Sequence, residues 1–325
     1  MTYLLSILAG FALLIAGAEL LVRGASRLAR IAGLSPLVIG LTVVAYGTSM
    51  PEFAVSVKAS LSGSADIALG NVVGSNIFNV LFILGLSSLI VPLSVSKQLV
   101  RLDVPVMIAA SLLLWAFAAG GRVGRFQGLV LFLLAVGYTV FLIRKGLRNG
   151  NGSSADPATK TDKGLRSIAW SIALVLAGLL LLVYGARLLV DGATALARHL
   201  GLSELLIGLT IVAAGTSLPE AATSVVAALR RERDIAVGNV VGSNIFNILA
   251  VLGASAAASP RGVAVSPAAL LLDIPVMVAA AVFCLPFFFT GFRISRLEGF
   301  SFLFFYLAYV AYLIFSAGAS SIASV

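Results

Sequence analysis

Two glutamates, Glu52 and Glu220, each end a Gly-Thr-Ser-x-Pro-Glu string that lies in the middle of a long apolar stretch. A carboxylate among apolar residues costs free energy, and such residues are usually retained for a function. A second string, Gly-Asn-Val-Val-Gly-Ser-Asn-Ile-Phe-Asn, follows each glutamate and begins at Gly70 and again at Gly238. Carboxylates, hydroxyls and amides that recur together in apolar segments indicate a buried site for a cation.

The polar side chains of these strings offer oxygen, and neither sulfur nor imidazole. Such a ligand set suits the hard cations Ca2+, Na+ and Mg2+ and is poorly suited to zinc or copper. Two carboxylates neutralise one divalent ion, which offsets much of the electrostatic cost of holding it away from water. Several Na+ ions could use the same oxygens instead, and two ions that exclude each other from one site can be exchanged. The candidate side-chain ligands are Glu52, Thr48, Ser49, Ser75 and Asn79, with their counterparts Glu220, Thr216, Ser217, Ser243 and Asn247.

The glutamates require helices that are interrupted at the site. Pro51 lacks the N–H that would bond the carbonyl of Gly47, four residues earlier, and its ring pushes that carbonyl aside. Free backbone oxygens near the centre of a bilayer are tolerated where they line a cavity or meet a ligand. Thr48 and Glu52 are four residues apart and therefore share one helix face. The same spacing on the following helix makes a polar stripe of Asn71, Ser75 and Asn79.

The composition places these segments in a lipid bilayer. Of 325 residues, 60% are hydrophobic and 11% are charged, whereas soluble domains carry about 25% charged residues. Ten apolar stretches reach the roughly 20 residues that cross a bilayer, and we interpret the first, residues 3–22, as a retained span rather than a removed signal peptide. The net charge of +9 arises from Lys and Arg in short connections between spans, so it gives no reason to expect a nucleic-acid partner.

The two halves of the chain are copies of each other. Residues 40–85 and 208–253 are identical at 31 of 46 positions, with a constant displacement of 168 residues. A Gly- and Ser-rich segment separates the copies, so we divide the chain into a first five-helix repeat (1–143), a cytoplasmic linker (144–166) and a second five-helix repeat (167–325). Because five is odd, the second repeat is inserted in the opposite direction. The predicted fold is an all-α membrane protein of ten transmembrane helices in two inverted repeats, with discontinuous helices 2 and 7.

The basic residues predict how the chain is oriented in the membrane. With the N-terminus outside, the connections on the inside hold 16 Lys and Arg residues and those on the outside hold 6. Positive charge concentrates in cytoplasmic loops. We therefore expect a multi-pass protein of the plasma membrane with both termini outside and the linker in the cytoplasm.

The GTSxPE and GNxxGSNxFN strings, each present twice, resemble the alpha repeats of the calcium/cation antiporter superfamily, specifically its sodium/calcium exchanger family. The resemblance covers both repeats and the ten-helix plan, and so nearly the whole chain. It implies that Glu52 and Glu220 coordinate Ca2+, and that neighbouring hydroxyls with the backbone carbonyls of Ala45 and Ala213 complete Ca2+ and Na+ sites. It further implies secondary antiport by alternating access, in which helices 1 and 6 move against the remaining bundle.

Asn79 and Asn247 bear on the ion that drives transport. Some relatives, including potassium-dependent exchangers, carry an aspartate at one of these positions, and the proton/calcium branch usually has an acidic residue within its second string. This chain has neutral amides at both positions. We therefore expect exchange of Na+ for Ca2+, with an H+- or K+-coupled exchanger and a passive cation channel as the alternatives.

An enzyme is not expected, because the sequence offers no nucleophile–base pair, histidine metal site or nucleotide-binding loop. The expected ligands are the transported Ca2+ and Na+, the expected partner is the bilayer, and neither a cofactor nor an obligatory protein partner is implied.

Several other polar residues are predicted to have structural roles. We expect Asp103 and Asp273 to cap helices. Four further asparagines are expected to serve packing or to bind free backbone groups: Asn71, Asn76, Asn239 and Asn244.

Overall fold

The computed structural model describes residues 2–150, 164–201, 213–289 and 291–322, and most of these residues are helical. The helices are α1 (Thr2–Ala32), α2 (Pro36–Thr48), α3 (Met50–Leu61), α4 (Asp66–Ile90), α5 (Leu99–Ala118), α6 (Arg125–Gly150), α7 (Leu165–His199), α8 (Ala213–Gly215), α9 (Leu218–Leu229), α10 (Arg233–Ala258), α11 (Ala269–Phe289) and α12 (Arg296–Ile322). Four two-residue strands connect them: β1 (Leu93–Ser94), β2 (Arg122–Val123), β3 (Val263–Ala264) and β4 (Arg293–Ile294).

The described helices are those of a membrane protein. Eight of them are long and apolar enough to cross a bilayer, and α2 with α3 makes a ninth span that is bent by 48°. The predicted span 204–229 is described only from residue 213 onward, where α8 and α9 lie. The all-α membrane fold is thus confirmed, and the count of ten spans stays a prediction.

Several helices extend well beyond the apolar stretches that predicted them, among them α1, α6 and α7. The first stretch ends at residue 22, but α1 continues to Ala32 and carries three arginines on its last turns. Likewise, α6 continues to Gly150, past the predicted end of the first repeat at residue 143. Hydropathy delimits the part of a helix that lies in lipid, whereas long basic side chains reach the interface while the helical backbone continues.

Burial separates central helices from peripheral ones. All of the most apolar stretch of α10 is buried inside the protein, and 72% of that of α4. The corresponding stretch is 11% buried in α12 and 22% in α6. The two helices that carry the second polar string therefore form the centre of the bundle, and α6 and α12 face the lipid.

The first helices of the two repeats, α1 and α7, pack closely against each other at glycines of both helices. A Cβ atom on Gly17 would lie 2.8 Å from the carbonyl oxygen of Gly178, and one on Gly10 would lie 2.8 Å from that of Gly185. Such contacts between small residues let membrane helices approach closely. The residue numbers of the contacts decrease along α7 as they increase along α1, from Gly185 to Gly178 and from Gly10 to Gly17. The two helices are therefore antiparallel, as inverted repeats require.

Each pair of strands joins one repeat to the other. β1 pairs antiparallel with β4, and β2 pairs antiparallel with β3. Because paired strands lie on the same side of the membrane, the connection after α4 shares a side with the connection before α12. This agrees with the sides that loop charges predict for these connections.

Asp103 and Asp273 do not cap helices, and that prediction was wrong. A π-helical turn precedes each aspartate and continues without interruption into the following α-helix. The Asp103 carboxylate instead accepts a hydrogen bond of 2.9 Å from the Tyr138 hydroxyl, and Asp273 accepts one of 2.8 Å from Tyr309. Each aspartate thereby fastens a helix to the next helix of its own repeat, α5 to α6 and α11 to α12.

Candidate cation site

The two glutamates lie at helix breaks. α2 ends at Thr48 and α3 begins at Met50, so the 48° bend falls immediately before Pro51. In the second repeat α8 ends at Gly215 and α9 begins at Leu218, immediately before Pro219. Glu52 and Glu220 therefore occupy the first turns of α3 and α9, where the exposed N–H groups and the helix dipole favour negative charge.

The breaks bring the carboxylates of the two repeats together through exchanged serine hydroxyls. The Ser49 hydroxyl donates to Oε1 of Glu220 at 2.8 Å, and the Ser217 hydroxyl donates to Oε1 of Glu52 at 3.0 Å. Ser75 also approaches Glu52, with 3.5 Å between its Oγ and Oε1 of the glutamate. Both glutamates are 0% exposed, whereas Thr216 and Asn71 beside them are only partly buried.

The threonines of the two breaks bond to asparagines of the opposite repeat. The Thr48 hydroxyl lies 3.1 Å from Oδ1 of Asn239, and the Thr216 hydroxyl lies 3.4 Å from Oδ1 of Asn71. Thr48 also lies 3.3 Å from the carbonyl oxygen of Ala45. These asparagines therefore fix the orientation of two hydroxyls that are candidate ligands.

The two candidate backbone ligands, the carbonyls of Ala45 and Ala213, differ in the contacts that the structure describes for them. The Ala45 carbonyl accepts the N–H of Ser49 at 3.0 Å and is approached by the Ser243 hydroxyl at 3.4 Å, which joins α2 to the central helix α10. Ala213 is the first residue of α8, two residues before the break. Ser243 is thus brought to the backbone beside the first glutamate rather than to a carboxylate.

Four asparagines cross-link the central helices α4 and α10. Asn76 Nδ2 donates to the Asn244 carbonyl at 3.2 Å, and Asn244 Nδ2 donates to the Asn76 carbonyl at 3.3 Å. Asn79 Nδ2 then bonds Oδ1 of Asn244, and Asn247 Nδ2 bonds Oδ1 of Asn76, both at 3.1 Å. The amide nitrogens of Asn79 and Asn247 are thus used in packing, and their oxygens are left over.

Four buried acceptor oxygens at this place have no hydrogen-bond partner among the described residues. They come in two equivalent pairs: Oε2 of Glu52 and Glu220, and Oδ1 of Asn79 and Asn247. A buried acceptor without a partner costs about 1–3 kcal/mol, and native proteins keep few of them. An unpaired oxygen in a polar cluster is what a cation would coordinate.

The asparagines outside the predicted ligand set were only partly understood from the sequence. As predicted, Asn71 and Asn239 bond backbone groups: each donates to the carbonyl of the glutamate of its own repeat, at 3.3 Å. Each also donates to a serine one turn further along, Ser56 or Ser224, at 2.9 Å. The hydrogen bonds that Asn239 and Asn71 make with Thr48 and Thr216 of the opposite repeat were not predicted. Sequence spacing shows which residues share a helix face, but it does not show which helix packs against that face.

The donor set fits a hard cation. Within the described ranges, no three side chains among His, Cys, Asp and Glu come close enough to hold a metal. The cluster therefore offers two carboxylates together with neutral hydroxyl and amide oxygens. This is the chemistry that Ca2+ and Na+ accept and that transition metals disfavour.

Comparison with known proteins shows similarity to cation antiporters. Residues 2–144 and 170–315 match the family model described as sodium/calcium exchanger protein. The putative antiporter CaxA of Alkalimonas amylolytica is 40% identical over 284 residues, which cover 83% of this chain and 85% of CaxA. The sodium/calcium exchanger MaX1 of Methanosarcina acetivorans is 33% identical over 305 residues, which cover 82% and 86%.

A solved structure has the same fold. The sodium-calcium exchanger NCX_Mj, soaked with zero Na+ and Ca2+, superposes with a TM-score of 0.82 at 32% sequence identity and covers 96% of this chain and 99% of its own. The family and the fold are those of a multi-pass membrane antiporter for cations, not of an enzyme. The chain belongs to the sodium/calcium exchanger protein family.

Proposed function

We propose that this protein exchanges Na+ for Ca2+ across the plasma membrane by alternating access. The observation that carries the proposal is the set of four buried acceptor oxygens without a partner among the described residues, on Glu52, Glu220, Asn79 and Asn247. Ca2+ takes 6–8 oxygens at about 2.3–2.6 Å in flexible geometry. Two carboxylates and two amides supply part of that shell, and the hydroxyls and carbonyls around them can supply the rest.

The proposed ligand set keeps the symmetry of the repeats. The carboxylates of Glu52 and Glu220 form its charged centre and neutralise one divalent ion. Na+ ions, which require less charge for each ligand, use the same oxygens when Ca2+ is absent. The set comprises Glu52, Thr48, Ser49, Ser75, Asn79 and the carbonyl of Ala45, with Glu220, Thr216, Ser217, Ser243, Asn247 and the carbonyl of Ala213.

The neutral amides favour Na+ as the coupling ion. A further carboxylate in the second string would add a group that can gain and lose a proton. The last positions of the two second strings hold the neutral amides Asn79 and Asn247 instead. MaX1 and NCX_Mj are both named sodium/calcium exchangers, which supports the same assignment here.

The burial of the two glutamates supports alternating access. Glu52 and Glu220 are 0% exposed, so an ion reaches their carboxylates only after the residues around them move. We propose that α1 and α7, which contact each other through glycines, rock together against the central helices α4 and α10. The close backbone contact at these glycines couples the two helices, so they can move as one unit.

Reconstituted liposomes test the proposal. Liposomes loaded with Na+ and diluted into Na+-free medium should take up radioactive Ca2+, and uptake should stop when the Na+ gradient is removed. Because removing one partner of a buried charge cluster costs about 3–5 kcal/mol, Glu52→Gln and Glu220→Gln should each lower uptake by about a hundredfold or more. Asp273→Asn is the matched control, since it neutralises an aspartate that is held by Tyr309 in another part of the bundle.

Three results would contradict the proposal. Uptake at the same rate without any gradient would indicate a passive channel. Uptake that a proton or K+ gradient drives alone would indicate the proton- or potassium-coupled alternative. Uptake that survives both glutamine substitutions would exclude the two glutamates as the ion site.

A further inference from the structure

A basic cleft lies far from the cation site, at the end of α1 that faces the predicted cytoplasmic side. It has a volume of about 600 Å³ and is lined by Glu19, Arg23, Arg27 and Arg30 of α1, Trp170 of α7 and Arg230 after α9. We call it the arginine cleft. Because α1 and α7 are antiparallel, the last turns of α1 and the first turns of α7 meet here.

The positive charge in the arginine cleft is only partly compensated. The Glu19 carboxylate is shared between Arg23 and Arg230, and it lies 2.7 Å from the guanidinium of the latter. Arg27 donates to the Ser167 hydroxyl at 2.9 Å, which brings no negative charge. Arg30 makes no ion pair within the described part of the chain. With Glu232 as the second acid of the lining, four arginines face two carboxylates.

The arginine cleft also has the form of a membrane interface. Arg23, Arg27 and Arg30 recur at helical spacing and so share one face of α1. Trp170 is 57% exposed, and tryptophan concentrates at the level of lipid headgroups. Leu20 and Leu174 continue the lining toward the apolar spans. Charge at one end and apolar surface at the other match the two parts of a phospholipid.

We propose that the arginine cleft binds the headgroup of an anionic phospholipid. The guanidinium groups of Arg27 and Arg30 would contact the phosphate, because arginine presents paired donors that match phosphate oxygens. Trp170 would lie at the level of the glycerol, with the acyl chains along Leu20 and Leu174. Basic pockets at the cytoplasmic ends of membrane helices bind anionic headgroups for the same reason. The proposal does not depend on which ion drives transport.

Tryptophan fluorescence tests the proposal directly, because the chain contains two tryptophans. Trp115→Phe leaves Trp170 as the single reporter. This variant is placed in phosphatidylcholine bilayers that contain either brominated phosphatidylglycerol or brominated phosphatidylcholine at the same mole fraction. Bromine quenches nearby tryptophan, so selective binding makes the anionic lipid the stronger quencher. Arg27→Gln and Arg30→Gln should each reduce the relative affinity for the anionic lipid by about fivefold.

Matched variants separate a binding site from a general surface charge. Arg293→Gln with Arg296→Gln removes two arginines from the same predicted side, at β4 and the start of α12, and should leave the selectivity unchanged. The double variant Arg27→Lys with Arg30→Lys keeps the positive charge and should retain most of the selectivity for the anionic lipid. Arg30 is exposed, so Arg30→Gln alone should preserve the fold, and quenching of Trp170 by brominated phosphatidylcholine checks that it does.

Several outcomes would overturn the proposal. Equal quenching by the two brominated lipids would show that the arginine cleft does not select anionic lipid. An equal loss of selectivity in the Arg293 and Arg296 variant would assign the effect to the overall surface potential. Loss of the excess quenching in millimolar inorganic phosphate at constant ionic strength would show that free phosphate is the preferred ligand of the arginine cleft.

Discussion

The hydroxyls of Ser49 and Ser217 each donate a hydrogen bond to the glutamate of the opposite repeat. At the scale of residues, these two hydrogen bonds connect the repeats at the site. Hydrogen bonds to charged groups contribute about 1.5–3 kcal/mol. Ser49→Ala removes a donor 2.8 Å from Glu220, and Ser217→Ala removes one 3.0 Å from Glu52. Each substitution should raise the Ca2+ concentration for half-maximal uptake by about tenfold or more, measured in proteoliposomes under a fixed Na+ gradient.

Ser60→Ala is the control for the serine variants. Ser60 is as buried as Ser49, lies at the far end of α3, and its hydroxyl has no hydrogen-bond partner in the described part of the chain. Uptake by this variant should match that of the unmodified protein. A serine variant of the site with unchanged Ca2+ dependence would remove that hydroxyl from the proposed cluster.

The sequence predicted which residues are equivalent better than it predicted their contacts. The displacement of 168 residues pairs Glu52 with Glu220 and Asn79 with Asn247, and the structure buries all four and leaves one oxygen of each unpaired among the described residues. It did not predict that donors are exchanged between repeats, because an internal repeat shows which residues are equivalent and gives no distance between the copies. The hydrogen bond from Tyr138 to Asp103 was missed for the same reason.

At the scale of elements, the break between α2 and α3 determines where Glu52 lies. Pro51→Ala supplies the N–H that the Gly47 carbonyl lacks and allows one continuous helix from Pro36 to Leu61. Straightening the 48° bend should carry Glu52 away from Ser217. We expect Na+-driven Ca2+ uptake to fall by about tenfold or more while the unfolding temperature stays the same or rises.

Pro286→Ala is the matched control for the proline prediction. Pro286 lies inside α11, which is continuous and contributes no residue to the proposed ligand set. Uptake should therefore be retained in this variant. Unchanged uptake by Pro51→Ala would show that the break does not have to be fixed by proline.

The glycine contact between α1 and α7 makes a separate prediction about stability. A methyl group on Gly17 would meet backbone atoms of Gly178 and Leu182 at 2.8 Å, and backbone cannot move aside as a flexible side chain can. Gly17→Ala should destabilise the protein by about 1–3 kcal/mol, seen as a lower unfolding temperature. Gly137→Ala in α6 meets nothing within 4 Å and should leave that temperature unchanged or slightly higher, since alanine favours helix.

The elements also show what hydropathy could not predict. Glycines at intervals of seven residues in α1 and α7 are visible in the sequence, yet their meeting depends on two helices more than 130 residues apart. Both central helices widen into π-helical turns, at Phe78–Leu84 and at Asn247–Leu252. Further π-helical turns occur at Gly40–Val44, Leu99–Asp103 and Ala269–Asp273, and hydropathy predicts none of them because it does not report the hydrogen-bond pattern of a helix.

At the scale of the whole molecule, loop charges predict that both termini are outside. Ser64 lies in an exposed connection between α3 and α4, which should face the exterior, and Ser154 belongs to the predicted cytoplasmic linker. In a Cys284→Ala background, Ser64→Cys should react with a membrane-impermeant maleimide on intact cells, and Ser154→Cys should react only after the cells are opened. The reverse pattern would mean that the orientation is inverted.

The four unpaired oxygens of Glu52, Glu220, Asn79 and Asn247 also bear on how tightly the two ion movements are coupled. If they are ion ligands, an empty carrier that passes through the closed arrangement leaves all four uncompensated. At about 1–3 kcal/mol for each, the penalty is at least about 4 kcal/mol, which slows the empty return step by nearly a thousandfold. The oxygens that bind the cargo would therefore also suppress slippage, so that an ion released on one side must be replaced before the carrier turns back.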